Sequence, residues 1–125
     1  MTAAASPASA ISFRERKLTE APAQSLIADG LACRRPSAEA LEIIWEHVAR
    51  IVEVSESEIA DAMRVYYEDT HNIAEGAGAA ALAAALQEKR ALRGKRVGIL
   101  LTGGNVDREM FLAALDGSFQ SARPA

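Results

Sequence analysis

A polar loop follows an apolar run near the C-terminal end of the sequence. The run Val97–Leu101 is followed by Thr102, Gly103, Gly104 and Asn105, and a helical pattern begins after them. In an α/β protein, a strand that ends in such a loop delivers polar groups to the carboxyl edge of the sheet, where these folds bind ligands. The Thr102 hydroxyl would be held at the strand end, and glycines let the backbone approach a ligand closely. A plain turn explains the same residues equally well.

Two other short segments have residue types that suit a ligand site. Glu75 lies directly before Gly76 at a predicted helix start, where a carboxylate also complements the helix dipole. Asp29 and Gly30 form a pair that is typical of a tight turn. Each segment therefore has two interpretations, as part of a site or as ordinary local structure.

Metal and disulfide chemistry has little support in the sequence. Cys33 is the single cysteine, so no intramolecular disulfide can form. His47 and His71 lie near predicted helix ends, and neither has a second His or Cys at ligand spacing. We therefore expect no metal site within this chain.

The composition is that of an ordinary globular domain. The 125 residues are 50% hydrophobic and 25% charged, which is enough for one domain with a core. The net charge of −3 argues against electrostatic binding to nucleic acid or to an anionic membrane. No apolar run approaches the roughly 18 residues of a membrane span, and Met1–Ala10 lacks the pattern of a secretory signal. We expect a cytoplasmic protein.

Hydrophobic spacing and capping residues predict a helix-rich α/β fold. Ser37 caps a helix that runs to about Ala49, and Ser55 with Glu58 forms a capping box that opens the next helix. The other predicted elements are a strand at Ile51–Val54, an alanine-rich helix after Glu75 that is buried on both sides, a strand at Val97–Leu101 and a last helix at Arg108–Leu115. Met1–Ala10 is predicted to be a disordered lead-in, and residues 118–125 are predicted to be a flexible tail.

The two predicted strands are both of the type found in buried parallel sheets. Two strands cannot bury such a sheet by themselves, since a stable sheet needs more strands or covering helices. We therefore expect the chain to be part of a larger three-layer domain, with helices on both faces of a sheet.

Four segments, taken in order, resemble one known family. They are Leu26–Ala32, Ile51–Ile59, Glu75–Leu82 and Leu101–Asp107. Together they closely resemble the C-terminal part of the pyridoxal-phosphate-dependent threonine dehydratases. That family is of the tryptophan-synthase-β type and also contains serine dehydratases and serine racemases. The resemblance implies that residues 11–117 are the C-terminal part of the large catalytic domain of such an enzyme.

The resemblance implies a role for each candidate residue. Thr102, where many relatives have Ser or Cys, would face the pyridine nitrogen of the cofactor pyridoxal phosphate. A neutral hydroxyl does not keep a proton on that nitrogen, which favours elimination of water over transamination. Gly103, Gly104 and Asn105 would form the loop under the cofactor ring. Glu75 would face the ring edge or the Thr102 hydroxyl, and Asp29 with Gly30 would lie on the substrate side of the cofactor.

The group that performs covalent chemistry in this family is missing. Relatives carry a Schiff-base lysine upstream, whereas Lys17, Lys89 and Lys95 each lie beside an arginine in a charged stretch. Such surroundings do not lower the pKa of an amine enough to make it a good nucleophile. We expect no catalytic residue in this chain and no activity from the chain alone.

The complete enzyme is expected to deaminate L-threonine to 2-oxobutanoate and ammonia, as a homo-oligomer with no nucleic-acid or membrane partner. Serine dehydration or racemisation is the alternative chemistry within the family. Two hypotheses of a different kind stay open as well. In the first, the chain is an accessory subunit, which completes a site on a partner chain that bears the lysine half. In the second, it is a remnant without activity.

Overall fold

The computed structural model describes residues 1–119, which form a helix-rich α/β fold with a two-stranded parallel sheet. This confirms the predicted fold class. No helix within the described part has both the length and the apolar character needed to cross a membrane. In chain order the elements are β1 (Thr2–Ala3), α1 (Ala8–Glu15), a 3-10 turn (Asp29–Leu31), α2 (Ala38–His47), β2 (Glu53–Val54), α3 (Glu56–Thr70), α4 (Gly76–Gln87) and α5 (Arg108–Leu115).

The sheet forms between the start of the chain and the predicted strand at Ile51–Val54. Thr2 pairs with Glu53, and Ala3 pairs with Val54. The Ala4 N–H donates to the Val54 carbonyl at 2.8 Å, and Ala3 is fully buried. The prediction that Met1–Ala10 is disordered is therefore wrong, because pairing with β2 satisfies this backbone and α1 begins at Ala8.

The predicted strand at Val97–Leu101 is not a strand in this structure. It has no ladder partner among residues 1–119, since β1 and β2 pair only with each other there. The side chains of Val97 and Leu100 are 47% and 79% exposed. The prediction fails because a β-type sequence becomes a strand only beside a neighbour that satisfies its backbone.

The predicted helix starts at Ser37 and Ser55 are confirmed. The Ser37 hydroxyl accepts from the Ala40 N–H at 3.4 Å. The Ser55 hydroxyl accepts from the Glu58 N–H at 3.2 Å, and the Glu58 carboxylate accepts from the Ser55 N–H at 2.7 Å. Both halves of the capping box are therefore present, and α5 also has its predicted bounds.

Helix α4 lies in the middle of the core and packs against α3 and β2. Its buried face consists of small residues, which permit close approach of the neighbouring backbones: Gly76, Gly78, Ala79, Ala80 and Ala83. The opposite face is less covered, since Leu82 is half-buried and Leu86 is 39% exposed. Burial on both sides, as predicted, is therefore reached only in part.

The first two residues of the predicted flexible tail, Ser118 and Phe119, form hydrogen bonds with the end of the chain that α5 occupies. The Ser118 N–H donates to the Asp116 carboxylate at 2.8 Å, and the Phe119 N–H donates to the Ala113 carbonyl at 2.9 Å. Phe119 packs against the core, so the predicted tail is wrong for these two residues. Residues 120–125, the rest of the predicted tail, lie outside the described residues.

Candidate functional site

The N-terminal turn of α4 touches two loops that are far apart in the sequence. A Cβ built at Gly76 would lie 2.0 Å from the Ile27 carbonyl oxygen, and one built at Gly78 would lie 2.6 Å from the Gly103 carbonyl oxygen. No other residue type fits so close to a backbone carbonyl. The glycines of α4 thus bring the segment before Asp29 and the loop after Thr102 to one place.

Glu75 holds the second of these loops. Its backbone N–H donates to the Gly103 carbonyl at 3.0 Å, and its carboxylate accepts from the Asn105 N–H at 3.0 Å. The carboxylate makes no capping bond to α4 itself, although Glu75 is the N-cap residue. The interpretation of Glu75 as an ordinary acidic residue at a helix start is therefore insufficient, because its side chain bonds the Asn105 loop and not the helix.

Thr102 lies at the exposed start of the same loop. Within residues 1–119 the Thr102 hydroxyl forms no hydrogen bond. No contact therefore supports the interpretation that this hydroxyl only bonds its own turn. The Thr102 hydroxyl also forms no hydrogen bond with the Glu75 carboxylate within residues 1–119. Contact with Thr102 was one of the two alternatives predicted for Glu75. The Thr102 hydroxyl is therefore available to a molecule that approaches this loop.

Asp29 and Gly30 form the 3-10 turn on the other side of α4. The Asp29 carboxylate accepts from the Gly30 N–H at 2.7 Å, and this bond agrees with the interpretation of the pair as a tight turn. A Cβ built at Gly30 would lie 3.0 Å from the Ala77 Cβ, so the turn packs on the first turn of α4. Asp29 also lines a cavity, so the two interpretations of this residue are compatible.

A cavity of about 160 Å³ lies between the two loops and the start of α4. It brings together Asp29, Glu75 and Asn105, three of the predicted site residues, and leaves out Thr102, Gly103, Gly104 and Gly30. Its volume is below the roughly 300 Å³ at which small-molecule pockets begin. The full lining is Leu26, Ile27, Asp29, Glu75, Gly76, Asn105, Val106, Asp107 and Met110.

The sequence interpretation missed Asp107 and Glu56. Asp107 adds a third carboxylate to the cavity, beside Asp29 and Glu75, and its place directly after the Asn105 loop was a usable signal. Glu56 is buried behind the wall of the cavity and bonds the Ser25–Ile27 segment. No sequence signal separates Glu56 from the other acids at the start of α3, because its partners are far away in the chain.

The side chains suited to covalent or metal chemistry lie elsewhere. Lys17, Lys89 and Lys95 are all exposed, and none lines the cavity. Within residues 1–119, no three His, Cys, Asp or Glu side chains are grouped so that they could hold a metal ion.

Comparison with known proteins identifies the family. A family model described as "Pyridoxal-phosphate dependent enzyme" matches residues 1–103. The chain belongs to this family. Members of this pyridoxal-phosphate-dependent family use that cofactor, and the fold of the chain is the one found in its solved members.

Similar proteins of this pyridoxal-phosphate-dependent family include several ammonia-lyases and racemases. The chain is 36% identical to an L-threonine ammonia-lyase of Thermotoga maritima over 104 residues, which are 83% of this chain and 26% of that protein. It is 35% identical to an L-threo-3-hydroxyaspartate ammonia-lyase of a Pseudomonas species over 106 residues, which are 85% of this chain and 33% of that protein.

Among solved structures, maize serine racemase superposes with a TM-score of 0.78 at 28% identity, over 94% of this chain and 38% of that one. The chain thus spans about a quarter to a third of the curated relatives that it matches.

The described residues fit one side of pyridoxal phosphate. The Thr102 hydroxyl has no partner within residues 1–119 and could bond a neutral ring nitrogen. The carboxylates of Asp29, Glu75 and Asp107 around the cavity would repel the phosphate group. The ring-nitrogen side is therefore the part of the cofactor for which this chain has suitable groups.

Proposed function

We propose that this chain forms the ring-nitrogen side of the active site of a pyridoxal-phosphate-dependent ammonia-lyase that acts on a β-hydroxy amino acid. Threonine is the first candidate, with 2-oxobutanoate and ammonia as products. The observation that carries the proposal is the Thr102 hydroxyl, which lies without a bonding partner within residues 1–119 on a loop anchored by Glu75.

Each residue has a defined task in this proposal. When bound, the cofactor supplies an electron sink for the Cα of the amino acid. Thr102 bonds the ring nitrogen without giving it a permanent proton, which favours loss of the β-hydroxyl over transamination. Glu75 keeps the Thr102–Asn105 loop against α4, and Asp29 with Gly30 lies on the substrate side.

The site needs an amine that this chain does not offer, because its lysines are exposed and outside the cavity. We propose that a polypeptide carrying the Schiff-base lysine completes the site. An active enzyme would then contain both parts, and several copies of this complete unit would assemble as a homo-oligomer in the cytoplasm.

The first experiment is a tagged pull-down of this chain from its source cell, with the eluate assayed for pyridoxal phosphate and for threonine-dependent 2-oxobutanoate. The proposal expects no keto acid from the pure chain, and activity together with bound cofactor when the lysine-bearing polypeptide is present. Keto acid made by the pure chain would contradict the need for that partner. Recovery of the chain alone and without cofactor would favour a remnant.

A variant pair tests Thr102 in the assembled enzyme. Thr102→Val removes the hydroxyl and keeps the shape, so we expect about a 100-fold loss of kcat, the order of effect of removing one positioned polar group. Thr102→Ser should keep most of the activity. Thr70→Val is the matched control, because the Thr70 hydroxyl bonds only Tyr66 and Asn72 at the end of α3. Full activity of Thr102→Val would refute the role.

Serine is the second candidate substrate. The solved neighbour with a TM-score of 0.78 is a serine racemase, which favours testing L-serine as well. Assays with L-serine should follow both pyruvate, the product of dehydration, and D-serine. The preferred substrate is the one with the larger kcat/KM.

A further inference from the structure

Glu56, the first residue of α3, is a buried carboxylate that bonds a distant segment. Its side chain is only 6% exposed. Its Oε1 accepts from the Ser25 hydroxyl at 2.9 Å, from the Leu26 N–H at 2.5 Å and from the Ile27 N–H at 3.3 Å. Hydrogen bonds from backbone N–H groups to an ionised carboxylate are among the stronger ones in proteins.

The segment that Glu56 holds is the wall of the cavity. Leu26 and Ile27 line the cavity, and the Ile27 carbonyl packs against Gly76 at the start of α4. The Ser25 hydroxyl accepts in turn from the Ala28 N–H at 3.2 Å, which fixes the chain up to Asp29. Glu56 does not line the cavity itself. It contacts the lining segment on the side that faces away from the cavity.

The type of residue at this position is informative. Within residues 1–119 no Lys, Arg or His forms an ion pair with Glu56, so its charge is compensated there by hydrogen bonds. An apolar side chain could fill the same space without the cost of burying a carboxylate. The presence of a carboxylate at this position is therefore best explained by the hydrogen bonds that it accepts from the Ser25–Ile27 segment.

We propose that Glu56 is a positioning residue, which fixes the Ser25–Ala28 backbone so that Asp29 and Gly30 face the ligand. This inference deepens the proposed function and rests on it for the identity of the ligand. The geometric part, that Glu56 holds this segment, stands on the contacts alone.

The test compares Glu56→Gln with Glu58→Gln in the full 125-residue chain. Glu58 lies in the same first turn of α3 but bonds only Ser55 and Gln87, so its variant disturbs the helix without touching the Ser25–Ala28 segment. Amide hydrogen exchange is measured for peptides that cover residues 24–31 and 103–107. Binding of pyridoxal phosphate is measured in parallel by equilibrium dialysis, with each chain assembled with the lysine-bearing polypeptide.

We expect Glu56→Gln to speed exchange of the Leu26 and Ile27 amides about tenfold or more, the loss expected when a charged acceptor is removed. Exchange at residues 103–107 should stay unchanged, and Glu58→Gln should leave the Leu26 and Ile27 amides protected. Glu56→Gln should also weaken cofactor binding about tenfold, while Glu58→Gln binds as the wild type does.

Three results would overturn the proposal. The first is wild-type exchange at Leu26 and Ile27 in Glu56→Gln, and the second is equal loosening by both variants, which would mean general unfolding of α3. The third is a loosened segment that still binds the cofactor with wild-type affinity. If the wild-type chain binds no cofactor even together with the lysine-bearing polypeptide, the proposed function fails, and the exchange comparison still decides whether Glu56 holds the segment.

Discussion

At the scale of single residues, two carboxylates shape the candidate site. Glu56 accepts the Leu26 N–H and Glu75 accepts the Asn105 N–H, each from a loop about thirty positions away. Both loops meet at the first turn of α4, where Gly76 and Gly78 let their backbones approach. The site is therefore built from backbone segments that side chains hold in place.

Gly76 gives a direct test of this packing. Gly76→Ala would put a Cβ 2.0 Å from the Ile27 carbonyl oxygen, so a backbone must move, and we expect a loss of about 1–3 kcal/mol in the free energy of unfolding. Gly98→Ala is the matched control, because a Cβ there meets nothing within 4 Å. Urea unfolding measures both. Equal stability of the two variants would contradict the close approach.

The sequence singled out some of the residues that the fold brings together. Glu75, Asp29 and Asn105 were candidates through the family resemblance, and one cavity joins them, while their roles toward a ligand stay predictions. Glu56 could not be found in the same way, because its value depends on Ser25 and Leu26, which only the fold brings near. Long-range partners of this kind leave no periodic or local signal.

At the scale of elements, the helix starts were predictable and the strand pairing was not. Ser37 and Ser55 cap their helices through backbone groups three residues along the chain, so the capping signal can be read from a short stretch of sequence. The pairing of Thr2–Ala3 with Glu53–Val54 joins residues about fifty positions apart. The alanine-rich start gave no alternating pattern, and it was therefore mistaken for a disordered segment.

The capping box predicts a pH dependence of stability. Burial opposes ionisation of Glu58, but hydrogen bonds from the Ser55 backbone, the Ser55 hydroxyl and Gln87 outweigh it and lower the pKa below 4.5. Because the folded pKa is below the unfolded one, the stabilisation is fully present above about pH 4.5 and is lost as the pH falls through the folded value.

Glu58→Gln should therefore lower the urea midpoint at pH 7 and approach the wild type as the pH falls below about 4.5. The exposed Glu42→Gln on α2 is the control and should differ little from the wild type at either pH. A difference between Glu58→Gln and the wild type that is the same at every pH would show that the carboxylate charge has no part in the cap.

At the scale of the whole molecule, an apolar β-type segment lies at the surface. Val97, Leu100 and Leu101 are 47%, 79% and 40% exposed, although their loop is fixed to α4 through Glu75. The relatives that the chain matches are three to four times longer than the matched region. If the proposed lysine-bearing polypeptide completes the site, we expect this segment to be the surface on which it pairs.

Leu100→Lys tests the exposure of this segment. Because the side chain is 79% exposed, the variant should keep its thermal midpoint and should bind less of a hydrophobic dye. Leu41→Lys is the contrasting variant, since Leu41 is fully buried and its replacement should unfold the chain. Loss of folding in Leu100→Lys would mean that Leu100 is covered. In the assembled enzyme, the same variant should weaken association of the two parts.

The turn after α4 has one more consequence, for proteolysis. It carries five exposed basic side chains, Lys89, Arg90, Arg93, Lys95 and Arg96, on a turn-rich segment that lies outside the helices and strands. A trypsin-like protease should cut there before it cuts elsewhere. The Glu75 bonds to the Gly103–Asn105 loop and the edge contact of Phe111 with Tyr67 join the two sides of the cut. A nicked chain should therefore elute as one species and separate into two pieces only in denaturant.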